Sequence, residues 1–595
     1  MRGVFDSKSS VLRIAGYTER ALGSRYDVYL KGDLYLSPGR QSAVLANLAS
    51  VGVSGEAASE LTGQFVIIVH DRVAGQIAVA RDQIGQQPIY FEVDNGLLWF
   101  ASSVAELLSR PNANWRVSEQ GIYDYLVLRR TEPPTTMLRG VSCLRPGSIA
   151  EFGKEGCLDE KQYDRDVPLT TLEGVADSSR EFADYRGAFR RSVEQVCATA
   201  GDRRISVLSS GGVDSSLLVA EYRRVTRERF STYYVGCTDY EHDRANEAEF
   251  VSSLFDTSHQ NIYVDGPAFA EELPTVIETI GLPLGSPSAV LRNHLYAALE
   301  DSEDVLLSGE GADSLYGGYY IFDLIYRFYC KNPAPAVLAA LARLAPVSRL
   351  RGDVGRKARL IRQAMMLPPD AYFLQYDTIV HVNATRLSGM LQAYDDERYL
   401  PQYKKRLANF DRESILNAVL SIYQSTHIAD YLQTLANFDD AHGLQHRHPF
   451  ISVPMRDAFN RVPWSRKVGT FKRKKLVIEL AKEVLPEAYF KKPKEGFGVP
   501  VYRWFRDPRS LGRYMDLLNS RAFRESGYFK KAWIDDLLSS YQQDRLRHSD
   551  YEDVIWPLVN LRLWSEHLND RVRSQSSGTD GEWLAGGCAR NRDCR

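Results

Sequence analysis

The sequence is poor in the features that mark several large classes of protein. Its seven cysteines show no CxxC spacing, which fits reduced thiols and argues against a structural zinc site. It has no apolar run of membrane-spanning length, and its start lacks a signal-peptide core, so we expect a cytoplasmic protein without a membrane partner. The 74 basic and 76 acidic residues nearly cancel, and this balance gives no reason to expect a nucleic-acid partner.

One strand–turn–helix segment carries the strongest signal that is present. Residues 205–222 read ISVLSSGGVDSSLLVAEY, an apolar strand, a Ser/Gly turn and the start of an apolar helix. Gly211 and Gly212 let the backbone curl so that successive N–H groups point at an anion, and the helix adds its positive N-terminal end. The carboxylate of Asp214 suits a Mg²⁺ ion that bridges phosphate oxygens. The segment has the form of a pyrophosphate loop, with a plain Gly/Ser turn as the alternative.

The same segment lacks a lysine after its glycines, so it is not the GxxxxGK[ST] loop of ordinary NTPases. A loop of this kind holds the pyrophosphate end of ATP while the α-phosphate is attacked. The pattern therefore favours adenylation of a substrate over transfer of the γ-phosphoryl group.

Two different patterns divide the chain. Up to residue 165 the sequence predicts short strands, rich in β-branched and aromatic residues. They are Tyr26–Leu30, Phe65–His70, Gln76–Ala80, Pro88–Phe91 and Leu97–Ala101. The polar residues 163–180 predict a linker.

From residue 181, helical stretches alternate with apolar strands, which predicts an α/β fold with a parallel sheet whose ligands bind at the carboxyl ends of the strands. These strands are Ile205–Leu208, Ser231–Val235, Asn261–Val264 and Val305–Ser308. Beyond residue 330 the pattern is largely helical. The polar, Gly-rich residues 571–595 predict a disordered tail.

Further segments place charged side chains where this chemistry needs them. Glu310 and Asp313 follow the last of these strands; Asp313 is a candidate second oxygen ligand for Mg²⁺, and Glu310 would lie near the reacting carbonyl. Lys491–Pro500 offers cations on a Gly/Pro-shaped loop, which could neutralise charge developing on a phosphate or an acyl centre. The basic run Arg466–Lys475 could bind an anion, although a solvated face is the simpler interpretation. Each of these segments also has a plain alternative, as a capping acid, a surface acid or a solvated loop.

Together these segments resemble the asparagine synthetase family, from residue 1 to about residue 570. The resemblance is carried by SSGGVDSS, SGEGADSLYGGYY, HGLQHRHPF and KKPKEGFGVPVYRWF. In the first part, ARDQIGQQPIYF, GLLWFASS and ELLSRP are similar to the family's glutaminase half. The resemblance implies an Ntn-hydrolase-like α+β sandwich over residues 1–165. It implies an adenine-nucleotide α-hydrolase-like synthetase domain with a parallel sheet and a helical C-terminal part over residues 181–570.

The resemblance also implies a role for individual residues, with ATP and Mg²⁺ as cofactors. Asp214 and Asp313 correspond to the ligands of Mg²⁺-pyrophosphate, Glu310 to the acid near the incoming amine, and Lys494 to the lysine that steadies the adenylate-forming and acyl-transfer states. The residues that correspond to the nucleotide-binding positions are Ser210, Gly211, Gly212, Asp214, Ser215, Ser216, Val235 and Gly309.

The first domain departs from the family pattern in its glutaminase pocket. Arg2 stands where the family has its nucleophilic cysteine, and a guanidinium cannot attack an amide. The glutamine-holding NGEIYN segment is Lys31–Leu36, KGDLYL, here, and Thr62-Gly63 replaces an Asp-Gly pair. The family's RGPD turn is shortened or missing. We therefore expect no glutamine hydrolysis and a degenerate first domain that still packs on the synthetase domain.

Milder departures surround the acyl-acceptor side of the second domain. The family's GEGADE motif ends in Ser314, and its E-x-R-x-PFLD segment is Gln445–Ser452, QHRHPFIS. An Asp-Arg pair of the family aligns with Ala436-Asn437. These changes suggest retained ATP chemistry with an altered carboxylate or amine.

The sequence thus predicts an ATP-dependent, AMP-forming carbon–nitrogen ligase in specialised biosynthesis. It would join a small-molecule or peptide carboxylate to ammonia or to a substrate amine. The alternatives are an asparagine synthetase proper, an intramolecular lactam former such as a β-lactam synthetase or a lasso-peptide cyclase, and a catalytically inactive regulator. A tRNA-modifying adenylase is disfavoured by the near-neutral charge and the missing CxxC pairs. The oligomeric state stays open, with a homodimer as the commonest closed assembly.

Overall fold

The computed structural model describes most of the chain. The described residues are 1–153, 158–164, 172, 178–299, 305–332, 334–344, 352–376, 379–408, 410–411, 414–469, 472–491 and 498–574. The central part of the predicted linker, the proposed catalytic Lys494 and the predicted tail from residue 575 onward lie outside them.

The first part of the chain forms two antiparallel sheets, ordered β2-β1-β8-β7-β9 and β11-β10-β6-β5-β4-β3. Their strands are β1 Arg2–Asp6, β2 Val11–Ala15, β3 Glu19–Leu22, β4 Tyr26–Leu34, β5 Gly63–Asp71, β6 Gln76–Arg81, β7 Tyr90–Asp94, β8 Leu97–Ala101, β9 Val141–Cys143, β10 Ser148–Phe152 and β11 Leu158–Gln162. The helices of this part are α1 Pro38–Val51, α2 Gly55–Ser59, α3 Val104–Leu108 and α4 Glu119–Leu128.

The two sheets pack face to face, because alternate side chains of each strand point into a shared apolar layer. Phe5 of β1 and Phe152 of β10 meet edge to face in this layer, with ring centroids 5.9 Å apart. Helix α1 covers the outer face of the six-stranded sheet with Leu45 and Leu48. Helices α3 and α4 belong to the larger core on the other side, which continues into the second part of the chain. The first part is therefore a layered sandwich with helices on both outer faces.

The second part contains a five-stranded parallel sheet, ordered β14-β13-β12-β15-β16. Its strands are β12 Ile205–Leu208, β13 Ser231–Cys237, β14 Ser258–Val264, β15 Val305–Leu307 and β16 Gln445–Arg447. The chain adds strands first on one side of β12 and then on the other. The order of connection therefore reverses between β12 and β15, which is where such sheets leave a crevice for ligands.

Helices surround this sheet and form the rest of the second part. They are α5 Ser178–Ala198, α6 Val213–Val225, α7 Ala245–Phe255, α8 Gly266–Ile280, α9 Ser288–Leu299, α10 Ala312–Leu315, α11 Tyr320–Ile325, α12 Pro335–Leu344, α13 Gly352–Met366, α14 Pro369–Tyr376, α15 Ala384–Met390, α16 Pro401–Leu407, α17 Ile415–Ile422, α18 Ile428–His442, α19 Val453–Arg461, α20 Trp464–Lys467, α21 Lys475–Val484, α22 Val501–Arg506, α23 Met515–Asn519, α24 Arg521–Arg524, α25 Lys531–Gln542, α26 His548–Asp550 and α27 Trp556–Ser574. In the described part of the chain, none of the helices combines the length and the hydropathy needed to cross a bilayer.

The predicted parallel sheet is present. Each of its four predicted strands overlaps an observed strand, and the predicted and observed ends differ by at most three residues. The fifth strand, β16, was not predicted. It is an edge strand that reads QHR, and so short a polar segment carries no β pattern of its own. It pairs with β15, with Leu306 opposite His446, and only this pairing makes it a strand.

Buried polar contacts join the two parts of the chain. The guanidinium of Arg447, in β16, donates to the Asp33 carboxylate at 2.8 Å and to the Thr199 hydroxyl at 2.6 Å. The Lys31 ammonium donates to Asp440 of α18. The side chain of Arg447 is fully buried, so its charge is balanced by the first domain rather than by water. The first domain is thus fixed to the sheet edge of the second.

We expect Arg447→Met to destabilise the protein by about 3–5 kcal/mol, because it leaves a carboxylate unpaired at a dry interface. Urea unfolding would measure the change. Arg521→Met is the matched control, since Arg521 is 88% exposed and pairs with Glu525 on the surface; it should cost less than about 0.5 kcal/mol. Equal stability of the two variants would contradict the interdomain role of Arg447.

Candidate active site

The candidate site lies at the reversal point of the parallel sheet. Val207 of β12 and Leu307 of β15 are partners in adjacent strands, so both strands end at the same edge. The predicted pyrophosphate loop leaves the end of β12, and Ser308 and Gly309 leave the end of β15. An added Cβ at Gly309 would lie 3.0 Å from the Ser215 nitrogen, so the two loops touch. The residues that the sequence placed at two strand ends are therefore side by side.

Internal hydrogen bonds already shape the loop. Gly211 has a φ of +63°, and an added Cβ there would come within 2.4 Å of Glu247; only glycine fits this turn. The Ser215 hydroxyl donates to the Gly212 carbonyl at 3.1 Å, and the Ser210 amide donates to the Ser215 hydroxyl at 3.2 Å. Gly212 caps α6, so the N-terminus of this helix faces the loop. The arrangement suits an anion such as pyrophosphate.

Two side chains from other elements support the loop from outside. The Tyr489 hydroxyl donates to the Gly211 carbonyl at 2.7 Å and lies 3.1 Å from the Ser216 hydroxyl. The Arg244 guanidinium donates to the same Gly211 carbonyl at 2.9 Å. Sequence analysis missed both residues. Arg244 adds a cation beside the candidate phosphate site.

The two candidate metal ligands share one ammonium group. The Lys474 ammonium lies 2.7 Å and 2.6 Å from the two carboxylate oxygens of Asp214. It lies 2.8 Å from an oxygen of Asp313. Burial opposes the charge of Lys474, but the two carboxylates outweigh burial and raise its pKa. Lys474 therefore stays protonated at every physiological pH.

Lys474 corrects one expectation from the sequence. It belongs to the basic run Arg466–Lys475, for which a solvated face was the simpler interpretation, but it is only 4% exposed. Its φ is +49° immediately before α21, a conformation that side chains other than glycine rarely adopt. The basic run in the sequence is the signal that points to Lys474. Its pairing with two acids distant in the sequence cannot be recognised from the sequence alone.

The acid pair offers oxygen ligands of the kind that Mg²⁺ takes. The Lys474 ammonium fills the space on which oxygens of Asp214 and Asp313 converge, so a Mg²⁺ ion would bind beside this ammonium group or in its place. Mg²⁺ usually takes one or two protein carboxylates and completes its shell with phosphate oxygens and water. Among the described residues, no cluster offers three or more His, Cys, Asp or Glu side chains to a metal. A metal at this place would therefore need the substrate's phosphates.

Glu310 lies beside this cluster and is itself paired. Its carboxylate accepts from the Arg292 guanidinium at 2.5 Å and from the Tyr431 hydroxyl at 3.3 Å. Burial and the neighbouring Glu310 raise the pKa of Tyr431, so its hydroxyl keeps its proton. The two contacts fix the orientation of Glu310, and Arg292 and Tyr431 themselves line a larger cavity.

Val235 and Lys494 complete the predicted set. Val235 is buried in β13, and the following Gly236 and Cys237 line a small cavity of about 20 Å³ together with Ser210 and Arg244. That cavity has room for about one water molecule. The structure places Val235 next to the loop but shows no direct contact with it. Lys494 lies outside the described residues, so its role stays a prediction.

Comparisons with known proteins agree with this geometry. A family model described as "Asparagine synthase" matches residues 184–566, and one described as "Glutamine amidotransferase domain" matches residues 30–164. The chain is 22% identical over 529 residues to "Asparagine synthetase [glutamine-hydrolyzing] 1" of Bacillus subtilis (strain 168), covering 86% of this chain and 78% of the relative. It is also 22% identical over 554 residues to "Putative asparagine synthetase [glutamine-hydrolyzing]" of Mycobacterium tuberculosis (strain ATCC 25618 / H37Rv), covering 90% of this chain and 80% of the relative.

A solved structure of the glutamine PRPP amidotransferase from B. subtilis, complexed with ADP and GMP, matches with a TM-score of 0.15 and 10% identity. It covers 41% of this chain and 47% of that chain. A match with so low a TM-score contributes nothing to the assignment.

Fold and site together define a ligase with an amidotransferase-like first domain and a synthetase domain. The chain belongs to the asparagine synthase family, whose model covers most of its second part. Enzymes of this family are ATP-dependent ligases that form AMP. The predicted family and the predicted class of enzyme are confirmed.

Replacing Lys474 tests the cation between the two acids. We expect Lys474→Met to bind Mg²⁺-ATP about tenfold to a hundredfold more weakly, because it removes charge-assisted contacts, about 1.5–3 kcal/mol each, that hold Asp214 and Asp313 together. Isothermal titration calorimetry would measure the affinity. Lys472→Met is the matched control, since Lys472 is an exposed member of the same basic run and should bind as the wild type does. Unchanged affinity in both variants would rule Lys474 out of the nucleotide site.

Asp313 can be displaced without changing its chemistry. An added Cβ at Gly318 would lie 2.0 Å from an Asp313 carboxylate oxygen and 2.6 Å from the Asp313 Cα, so Gly318→Ala must move this residue. We expect the variant to need a higher Mg²⁺ concentration for half-maximal ATP binding, followed by calorimetry at several Mg²⁺ concentrations. Gly389→Ala is the control, because no atom lies within 4 Å of its added Cβ in helix α15. An unchanged Mg²⁺ requirement in Gly318→Ala would argue against Asp313 as a ligand.

Proposed function

We propose that this protein adenylates a substrate carboxylate with ATP and transfers the acyl group to ammonia or to a substrate amine, without hydrolysing glutamine. The observation that carries the proposal is the cluster at the reversal point of the sheet. A preformed anion loop, two converging carboxylates and one buried ammonium group meet there. This combination suits the pyrophosphate end of ATP, and such a site leaves the α-phosphate open to attack.

In the proposed reaction a carboxylate oxygen of the substrate attacks the α-phosphorus, and the bond to the bridging oxygen of pyrophosphate breaks. The amine nitrogen then attacks the acyl carbon of the adenylate, AMP leaves with the bonding electron pair, and the amine loses a proton. Amide groups of the loop at Gly211 and Gly212 would hold pyrophosphate. Mg²⁺ held by Asp214 and Asp313 would offset its charge. Lys494 is proposed to offset the charge at the acyl centre.

The position of Glu310 supports a role in binding the attacking amine. Most amines are protonated at neutral pH, so the attacking nitrogen needs a proton acceptor or at least an anion that orients it. The contacts with Arg292 and Tyr431 hold one oxygen of Glu310. Its second oxygen remains for the substrate. We assign Glu310 the role of positioning the amine and accepting its proton.

The first domain gives no support for a working glutaminase. Arg2 is buried in β1, between β2 and β8, opposite Ala15 and Ala101, and its guanidinium cannot act as a nucleophile. Lys31 and Asp33, at the positions of the family's glutamine-holding segment, form ion pairs with the second domain. These side chains fasten the domains together instead of binding a substrate.

The cavity beside Thr62 and Gly63, which replace the family's Asp-Gly pair, is also small. Thr62 and Gly63 line a cavity of about 20 Å³, which holds about one water molecule. The Gly63 carbonyl accepts from Gln86 at 3.0 Å. We therefore propose that the domain over residues 1–165 keeps an Ntn-hydrolase-like sandwich as a structural unit. The chemistry belongs to the synthetase domain of residues 181–570, with its adenine-nucleotide α-hydrolase-like sheet.

A mass-spectrometric assay with Mg²⁺-ATP and aspartate tests the nitrogen source. We expect amide and AMP, if aspartate is accepted, with ammonium and not with glutamine. Asparagine from ammonium alone would identify an ammonia-dependent asparagine synthetase. No asparagine from either donor, in protein that still binds Mg²⁺-ATP, would direct the search to a dedicated amide or lactam former. Efficient use of glutamine would overturn the proposal for the first domain.

Restoring the missing nucleophile is a sharper control. Arg2→Cys should still release no glutamate from glutamine, because Lys31 and Asp33 stay engaged with Asp440 and Arg447. Glutamate release is measured with an enzyme-coupled assay. A clear gain of glutaminase activity in Arg2→Cys would show that the pocket is intact.

A further inference from the structure

A cavity of about 260 Å³ lies between the two domains, next to Glu310. Arg292 and Tyr431, which both bind Glu310, form one part of its wall. The end of helix α4 forms another part, with Arg129 and Arg130 of the first domain. The reacting side of the synthetase site and a surface of the first domain therefore line one cavity, which is partly open to solvent.

The size of this cavity exceeds the needs of a small amino acid. One water molecule requires about 10–15 Å³ by the same measure, so the cavity has room for on the order of twenty water-sized groups. Aspartate would fill only about half of it by this measure. A larger acid fits better.

Two of the three arginines in the wall have carboxylate partners. Arg292 pairs with Glu310 at 2.5 Å, and Arg130 pairs with Glu132 at 3.3 Å. The third, Arg129, donates only to backbone carbonyls: to Leu126 at 2.9 Å and to residues 552 and 553. Across the described part of the chain, no carboxylate oxygen comes within ion-pair distance of Arg129. The acids that act on its charge, Asp553 and Glu552, do so from beyond that distance, and Glu552 lines the same cavity.

The backbone at Arg129 is unusual as well. Its φ is +65° at the end of α4, a position where glycine is the common residue and other side chains cost about 1 kcal/mol. The side chain is only 6% exposed. A strained arginine at the wall of a cavity, bonded to backbone carbonyls and to no carboxylate directly, points to a role of its guanidinium in that cavity.

A histidine in the same wall has a ring nitrogen without a partner in the described structure. His427 accepts from or donates to the Tyr319 hydroxyl through Nε2 at 2.9 Å. Its Nδ1 is buried and has no hydrogen-bond partner in the described structure. Burial, Arg130 and His381 lower the pKa of His427, so the ring is neutral and can offer Nδ1 to a ligand as donor or acceptor. The arginines therefore supply the positive charge of the cavity.

We infer that this cavity binds the acyl substrate through a second anionic group, which Arg129 of the first domain holds. The substrate is then an acid larger than aspartate, with one carboxylate at the nucleotide site and an anionic group at its far end. This assignment rests on the proposed function, since it takes the acid to be the group that ATP activates. It gives the first domain a direct part in choosing the substrate.

Matched acids test the inference by direct binding. The probes are the dicarboxylates adipate and suberate and the monocarboxylates hexanoate and octanoate, titrated calorimetrically in the presence of Mg²⁺ and a non-hydrolysable ATP analogue. We expect each dicarboxylate to bind the wild type about tenfold to a hundredfold more tightly than the monocarboxylate of equal length. Equal affinities, or binding of neither class, would overturn the inference.

Variants locate the anion site. Arg129→Met should lose the preference for dicarboxylates, whereas Arg139→Met should keep it, because Arg139 is an exposed arginine of the same domain that does not line the cavity. Arg129→Lys keeps the charge and should retain part of the preference; it decides the question if Arg129→Met does not fold. A preference that survives in folded Arg129→Met, or one that vanishes in Arg129→Lys and Arg139→Met alike, would contradict the assignment.

The same experiment separates this inference from the proposed function. If dicarboxylates bind but no acid yields AMP and an amide, the ligase proposal fails while the anion site stands. If AMP and amide form as readily from acids with a single carboxylate as from those with two, the ligase proposal stands and the anion site is wrong.

Discussion

A single buried ammonium group between two carboxylates holds the synthetase site together. Lys474 precedes helix α21, Asp214 begins α6 and Asp313 begins α10, so three separate parts of the chain meet at one charge. Two acids brought this close would repel each other. The lysine makes their convergence possible before any nucleotide or metal arrives. The position of the loop, of Gly309 and of Glu310 depends on the same convergence, since all of them lie at the ends of the two strands that flank it.

Charged side chains of the first domain likewise form ion pairs, here with the second domain. Positions that would hold glutamine in the family carry Lys31 and Asp33, and both are bound to charged side chains of the second domain. A charged side chain that is held in an ion pair can bind a substrate only if that ion pair breaks. Under the proposed function, these ion pairs give the domain a firm interface in place of a glutamine pocket. Its sandwich persists because its core depends on alternating apolar residues of the strands and not on the pocket.

The proposed roles of the two domains meet in the large cavity beside Glu310. Arg292 connects this cavity to the reacting side, and Arg129 places a first-domain cation in its wall. If the first domain supplies no nitrogen, as we propose, it contributes to specificity in this way. Its retention then has a functional reason beyond stability, and its contact with the second domain becomes part of the substrate site.

The amino-acid sequence by itself determined the local elements: the strand, the Gly211-Gly212 turn and the helix that follows, the acids after Leu307, and the parallel sheet. These depend on periodicity and on the backbone freedom of neighbouring residues, which a sequence displays directly. Only the tertiary structure decided that Lys474 binds Asp214, 260 positions away, and that Arg447 binds Asp33, 414 positions away. Only the tertiary structure, likewise, makes QHR the strand β16. It also decided that the basic run before α21 is partly buried. A charged residue looks the same in a sequence whether it faces water or another charge, because its partner is chosen by the path of the whole chain.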